Sequence, residues 1–150
     1  GGISASSSYA YIRDEKITGT NAGTFTNGAW RTRTLNTITT DIPSSITLSA
    51  NQITLTSGTY IIEASAPGQN VANHAIRFQN ITTATTSIVG SSESDTAGSR
   101  SVFKNVITIT STNVFELQHR CSTSRANDGF GRAHGFQTEV YAQVWITKTS

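Results

Sequence analysis

The sequence contains very little cysteine. Cys121 is the only one in 150 residues, so an internal disulfide is excluded. A chain of this length buries roughly two thirds of the surface that its unfolded form exposes, and its core needs no covalent cross-link. Cysteine usage therefore does not indicate the redox compartment.

Charge of either sign is also scarce. Charged residues make up 13% of the chain, where about 25% is usual, and the formal net charge is +2. No run of Lys or Arg supplies the field with which nucleic-acid-binding proteins attract phosphates, so we predict no nucleic-acid partner. Serine and threonine instead supply roughly three in ten residues, a composition typical of extracellular β-structures, in which threonine favours strands.

Long apolar runs are missing as well. No stretch approaches the roughly 18 to 20 residues of a membrane span, so we expect no membrane insertion. The N-terminal sequence lacks the basic start and the apolar centre of a signal peptide. We expect residues 1–8 to be a flexible N-terminal segment or the remnant of a tag, and residues 9–150 to form a single domain.

The apolar residues follow a strand pattern throughout. No segment shows the 3.6-residue period of an amphipathic helix, whereas alternation with period two recurs, for example in ANHAIRFQN and FELQHRC. Pro67 and Gly68 are expected to end a strand, since proline has no N–H to donate, and the polar run SSESDTAGS is expected to be a loop. Nine or ten short strands predict an all-β, two-sheet antiparallel jelly-roll sandwich.

The last strand has large apolar side chains on both faces. The even-numbered residues of Val140–Ile146 are all apolar, while Tyr141 and Trp145 point to the opposite side. A sandwich covers only one of these faces with its second sheet, so the other face requires a further partner. We predict that a neighbouring subunit covers it, and that Tyr9 and Tyr11 of the first strand belong to the same surface.

Residues that resemble reactive centres do not form complete motifs. His119 and Cys121 are predicted to be packed side chains, because no second Cys/His pair follows at zinc-ligand spacing. The glycines of GFGRAHG do not fit a dinucleotide fingerprint, and no serine lies in a G-x-S-x-G elbow. We predict no enzymatic activity, no catalytic residue, no cofactor and no metal. Spacing in the sequence does not show whether two carboxylates on different strands come together as a glycosidase pair.

The connection Ser122–Gln137 is the strongest candidate for a binding site. It combines hydrogen-bonding side chains, aromatic rings and glycines that allow an irregular path. These groups suit a sugar, which has polar edges and an apolar face, and arginine also pairs with phosphate. The alternative is that they hold the loop itself, because Asn-Asp-Gly favours tight turns. The candidate ligand-binding residues are Arg125, Asn127, Asp128, Phe130, Arg132 and His134.

A second cluster of arginine and aromatic residues occurs in AWRTRTLNT. Two arginines beside an aromatic ring suit an anion, but arginine is equally at home in subunit interfaces. We favour the interface. The residues predicted to form it are Tyr9, Tyr11, Trp30, Arg31, Arg33, Tyr141 and Trp145.

Several segments resemble known families. SGTYIIEASAPG and EVYAQVWITK resemble the ten-stranded jelly roll shared by tumour necrosis factor and the complement globular head. More closely, AWRTRTLNT, FELQHRCSTSRANDGFG and EVYAQVWITK, in this order, resemble a C-terminal domain of bacteriophage tail fibres and tailspikes. The resemblance spans residues 9–148 and implies a homotrimer of about ten strands per chain. It also implies that the first and last strands are neighbours in the sheet that faces the threefold axis.

The same resemblance implies a location and partners. It implies an extracellular head at the tip of a virion tail fibre, which binds its own copies and a bacterial surface polysaccharide or another host receptor. The alternative is a purely structural trimerisation or virion-decoration module without a ligand. A complement-like binding module of bacterial or eukaryotic origin is a third possibility.

Overall fold

A computed structural model of the chain describes residues 8–150, which form only strands, turns and loops. Residues 1–7, part of the predicted flexible segment, lie outside the described residues, whereas Ser8 already begins the first strand. No helix among the described residues is long and apolar enough to cross a membrane. The twelve strands are β1 (Ser8–Lys16), β2 (Arg31–Thr32), β3 (Thr37–Thr40), β4 (Ile46–Ser49), β5 (Gln52–Leu55), β6 (Gly58–Gln69), β7 (Ala72–Asn80), β8 (Thr85–Val89), β9 (Glu93–Asp95), β10 (Gly98–Ile109), β11 (Asn113–Cys121) and β12 (Glu139–Lys148).

The strands form two antiparallel sheets. The front sheet has the order β10-β6-β12-β1-β3. The back sheet has the order β4-β5-β11-β7-β8, with β2 beside β11 and β9 beside β7. The predicted two-sheet antiparallel jelly roll is confirmed, and β1 pairs with β12 as expected. The strands outnumber the predicted nine or ten because β2 and β9 are pairings of only two and three residues.

Two local expectations were wrong. Strand β6 continues through Pro67 and Gly68 to Gln69. Its pairing with β12 reaches only Ser65, so Pro67 pairs with β10 alone and lies at the margin of the ladder, where a missing N–H is tolerated. The polar run SSESDTAGS is not a continuous loop, because β9 lies within it and β10 begins in it.

The core lies between the sheets and is filled by the inward residues of the alternating strands. Phe78 and Phe115 of the back sheet are fully buried, with ring centroids 4.7 Å apart. The Phe78 ring also lies 6.0 Å from that of Phe103 in the front sheet. A smaller cluster of Phe25, Val71 and Cys121 packs beneath the Ser122–Gln137 connection. Cys121 is therefore a packed core residue, as predicted.

Phe78→Ala is expected to destabilise the fold by about 3 to 5 kcal/mol, because it removes a buried ring that contacts both sheets and leaves a cavity. Urea denaturation measures this as a lower midpoint. Val89→Ala is the matched control, since Val89 is 73% exposed at the edge of the same sheet, and should change stability by less than about 0.5 kcal/mol. Equal effects from the two substitutions would contradict the described core.

Candidate functional site

The Ser122–Gln137 connection is tied to the rest of the chain at several points. Phe25 and Arg125 form an isolated antiparallel bridge. The amides of Ala22 and Gly23 donate to the carbonyls of Gly131 and Asn127, respectively. The loop therefore has a defined path over one end of the sandwich.

Asp128 is the centre of this loop. Its carboxylate is 4% exposed and accepts hydrogen bonds from Nε of Arg125 at 2.5 Å and from Nε of Arg132 at 3.2 Å. The hydrogen bond from Arg125 is the main reason that the pKa of Asp128 is lowered. The carboxylate is thus ionised and occupied by the loop's own arginines, so Asp128 supports the loop and is not a free ligand group.

Phe130 and Asn127 also serve the loop. The Phe130 ring stacks on Phe25 with centroids 4.3 Å apart, and the guanidinium of Arg33 lies 4.3 Å above its centre. Asn127 occupies the left-handed region at φ 70°, as tight turns require. Asn127, Arg132 and His134 are the exposed members of the predicted ligand residues, and the side chains of Arg132 and His134 are 63% and 46% exposed.

Arg33 is fully buried beneath the loop and has no salt bridge among residues 8–150. Its guanidinium donates to the carbonyl oxygens of Pro67 at 3.0 Å and Phe130 at 2.8 Å. Burial lowers its pKa to about 9, so it remains a cation at neutral pH. The prediction that Arg33 lies at a subunit interface is corrected, because the side chain is enclosed within its own chain.

A line of hydrogen bonds, which we call the donor chain, joins four side chains: Arg33, His119, His74 and Ser99. A terminal nitrogen of Arg33 lies 3.3 Å from Nδ1 of His119. Nε2 of His119 is 2.8 Å from Nδ1 of His74, and Nε2 of His74 is 2.8 Å from Oγ of Ser99. His119 is buried, as predicted, and His74 is buried as well.

The direction of every bond in the donor chain follows from Arg33. A guanidinium only donates, so Nδ1 of His119 must accept and its proton must be on Nε2. That proton is donated to Nδ1 of His74, whose own proton is then on Nε2 and is donated to Ser99. Both imidazoles are neutral, because a second proton on either Nδ1 would face a donor.

The donor chain ends at a cleft of about 360 Å³, which we call the end cleft. Ser99 and Arg100 at the start of β10 form one side, and Arg132 and His134 of the loop form another. Arg100 donates to the carbonyl oxygen of Tyr141 at 3.1 Å and to the Ser65 hydroxyl at 3.1 Å. Sequence reasoning missed Ser99 and Arg100, because β10 begins inside a polar run that resembles a loop.

Glu139 closes the base of the end cleft. It is 1% exposed, and its carboxylate accepts the backbone N–H groups of Gly19, His134 and Gly135 at 2.8 to 3.0 Å. These hydrogen bonds outweigh desolvation, so the pKa of Glu139 is lowered. The carboxylate therefore joins the Gly19 turn to the loop.

Tyr141 lies beneath the end cleft and is not on a free surface. Its ring is 3% exposed, and its hydroxyl donates to the carbonyl oxygen of Thr20 at 2.5 Å. A side chain at Gly131, whose φ is 146°, would collide with this ring. Burial raises the pKa of Tyr141 to about 12. The predicted interface role of Tyr141 is corrected, since a loop of the same chain covers it.

The remaining predicted interface residues divide between the two sheets. Tyr11 stacks on Trp145 at 5.5 Å on the outward side of the front sheet, which we call the front face. Tyr9 lies on the same face at 47% exposure. Trp30 instead packs under the guanidinium of Arg77 of the back sheet, at 4.2 Å. Arg31, also beside the back sheet, donates to the carbonyl oxygens of Thr26 and Asn27.

The sequence matches no protein-family model and no curated protein. Among solved structures, PRD1 vertex protein P5 is 16% identical with a TM-score of 0.62, covering 98% of this chain and 100% of that one. The globular domain of zebrafish complement 1qA protein is 11% identical, with a TM-score of 0.59 and coverage of 97% and 98%. Murine APRIL at pH 5.0 is 8% identical, with a TM-score of 0.60 and coverage of 96% and 100%. These likenesses confirm the jelly-roll fold of tumour necrosis factor and the complement head.

Acid is expected to destabilise the fold through the donor chain. Burial lowers the pKa of His74 from its ordinary value of 6.5, and lowers that of His119 well below it. Around His74, the carboxylates of Glu93 and Asp95 oppose this shift and Arg33 adds to it, but desolvation is the largest cause. As the pH falls below about 6.5, the unfolded chain binds protons that the folded chain does not, so the free energy of unfolding decreases.

The urea midpoint should therefore fall between about pH 7 and about pH 5, above the range in which most carboxylates titrate. In His119→Gln, the glutamine amide supplies an acceptor for Arg33 and a donor for His74 but does not titrate. The fall of the urea midpoint with pH should therefore become shallower. Val89→Gln, which changes an exposed side chain of the back sheet that does not titrate, should keep the wild-type decline. A midpoint that stays constant over this range in the wild-type protein would rule out the neutral buried pair.

Proposed function

We propose that the chain is the non-enzymatic, homotrimeric head domain of a bacteriophage tail fibre or tailspike. In this role it trimerises the fibre tip, outside the cell and on the virion, and contacts a host cell-surface glycan or another receptor. Residues 9–150 are the head domain in this proposal.

The front face is the observation that carries the proposal. Tyr9 and Trp145 are 47% and 36% exposed, and Val102 and Val106 on the same face are 48% and 56% exposed. Register places Trp145 between Tyr11 and Glu63, and Glu63 opposite Lys104, so these apolar residues flank the ion pair of Glu63 and Lys104. A contiguous apolar surface of this kind is typical of a subunit interface.

The phage setting is supported by the fold and by the earlier resemblance in sequence. A phage vertex protein is among the solved structures with this fold, and the segments AWRTRTLNT, FELQHRCSTSRANDGFG and EVYAQVWITK resemble tail-fibre heads. The titratable groups at the end of the sandwich support a binding role over catalysis. Asp128 and Glu139 are occupied by internal hydrogen bonds, and His74 and His119 are buried and neutral.

The second candidate is a purely structural trimerisation or virion-decoration module. The observation that favours it is the internal bonding of the loop, in which Asp128 holds both Arg125 and Arg132 and Phe130 packs inward. In that role the loop would stabilise the head and contact no ligand. The two candidates share the trimer and differ only in whether the outer surface binds a host.

Assembly is tested by sedimentation equilibrium. The protein should sediment at three times the 16.0 kDa mass of the chain at micromolar concentration. Trp145→Glu places a charge in the apolar front face and should give a folded monomer, since burying an unpaired charge costs several kcal/mol. Val89→Glu puts the same charge on an exposed residue of the back sheet and should leave the trimer intact. A wild-type monomer would refute the proposed assembly.

Host contact is tested by binding of the fluorescently labelled protein to a panel of bacterial strains and their purified surface glycans. The trimer should bind a subset of strains, and the Trp145→Glu monomer should bind them about 100-fold more weakly, because three sites act together only in the trimer. Circular dichroism confirms that the variant is folded. A trimer that binds no strain would favour the purely structural module.

A further inference from the structure

We propose that the end cleft binds an anionic group of a glycan, a uronate carboxylate or a phosphate, between Ser99, Arg100 and Arg132. The inference rests on the proposed contact with a host glycan and names the chemical class of that ligand.

The polarity of the donor chain favours an anion in the cleft. Every hydrogen bond in it runs from the buried cation Arg33 towards the cleft, and the last donor, His74, donates to the oxygen of the Ser99 hydroxyl. Ser99 therefore accepts inside the protein, and its own proton has no acceptor among residues 8–150. Because Ser99 lines the cleft, this proton is available to an acceptor there. A chain of aligned donors that starts at a cation favours negative charge at its far end.

Both arginines of the cleft have unused donors. Within the described part of the chain, Arg132 uses only Nε, towards Asp128, and its side chain is 63% exposed. Arg100 uses only one terminal nitrogen, towards Ser65 and Tyr141. Guanidinium groups with free N–H donors bind carboxylates and phosphates through charge-assisted hydrogen bonds.

The carboxylates near the cleft do not cancel this charge. Glu139 accepts three backbone N–H groups, and Asp128 accepts the two loop arginines. Asp14 forms a salt bridge with Lys16 at 3.0 Å. Glu93 and Asp95 act on His74, so the preference of the cleft for an anion rests on the unused donors of Arg100 and Arg132 and not on a net charge of this end of the sandwich.

An exposed aromatic ring lies beside the cleft. Phe136 is 84% exposed and stacks on His134, which lines the cleft, at 5.5 Å. Gly135, at φ 79°, allows the turn that brings the two rings together. An exposed ring next to arginine donors suits a sugar that bears an acid group, because the apolar face of the sugar packs on the ring while the anion reaches the arginines.

The test uses nuclear magnetic resonance of the ¹⁵N-labelled trimer at constant ionic strength. The probes are trigalacturonate, its neutral methyl ester and inorganic phosphate, each up to about 50 mM, which detects a millimolar Kd. Trigalacturonate, phosphate or both should cause saturable shifts in the amide signals of residues 98–100 and 131–134. The anion that binds more tightly identifies the preferred group, carboxylate or phosphate. The methyl ester should cause no saturable shift. Binding of the ester as tight as that of the acid, or no saturable shift with either anion, would overturn the inference.

Three variants localise the effect. Arg132→Gln should weaken binding about tenfold, the loss expected for a hydrogen bond to a charged group. Ser99→Ala should also weaken binding, because it removes the proton at the end of the donor chain. Arg120→Gln removes an equal charge from the exposed outer side of the back sheet and should bind like the wild type. Thermal denaturation confirms that each variant is folded. Wild-type affinity in folded Arg132→Gln, or an equal loss in Arg120→Gln, would refute the site.

Failure of this inference is distinguishable from failure of the proposed function. A protein that attaches to bacterial strains but gives no anion-dependent shift in the cleft refutes the anion site alone. A protein that binds the anion in the cleft but attaches to no strain retains the site and refutes host contact.

Discussion

The guanidinium of Arg33 joins three parts of the molecule that are far apart in the sequence. It follows β2 at the back sheet, binds the carbonyl oxygen of Pro67 in the front sheet, and binds that of Phe130 in the long loop. A buried cation is costly unless its donors are satisfied. Here two carbonyls and His119 accept its protons, and the Phe130 ring lies against its face. The position of the loop, and with it the wall of the end cleft, depends on this contact.

Arg33 fixes the direction of the hydrogen bonds made by His119 and His74. Through them it also fixes the role of the Ser99 hydroxyl on the opposite wall of the cleft. Without a fixed donor at one end, two neutral imidazoles could hydrogen-bond in either direction, and the Ser99 hydroxyl would have no assigned role. With Arg33 in place, a single set of tautomers satisfies every bond. The same arrangement explains why a buried polar network persists in a small core. Complete hydrogen bonding offsets the free-energy cost of burying these polar groups. The network also fixes the orientation of the Ser99 hydroxyl, which an all-apolar core would not do.

The proposed assembly surface and the proposed binding site lie on separate parts of the fold. The front face presents Tyr9, Tyr11 and Trp145, whereas the end cleft lies where β6, β10 and the loop meet. In the proposed trimer, the front faces pack around the axis and three copies of the cleft act together. Weak contacts at each copy then combine into firm attachment, as adsorption to a repetitive surface glycan requires.

The sequence allowed the strands to be predicted, and much less of the site. Alternation placed His119, Cys121 and Val144 correctly on buried faces, because the direction of a strand side chain depends on its own position. The same rule placed Arg33 beside Arg31 on an interface, whereas its burial depends on Pro67 and His119, which lie 34 and 86 positions away. Ser99 and Arg100 were not predicted as site residues. Pairing between distant strands brings β10 to the loop, and the short-range pattern of the sequence does not encode this pairing.

The tautomers of the two buried histidines test the donor chain most directly. Long-range ¹H–¹⁵N correlation spectra of the imidazole rings at neutral pH distinguish a protonated Nε2 from a protonated Nδ1 and from an imidazolium. We expect His119 and His74 both to be neutral and both to carry their proton on Nε2. A proton on Nδ1 of His119, or a charged ring at either position, would contradict it, since Arg33 would then face another donor.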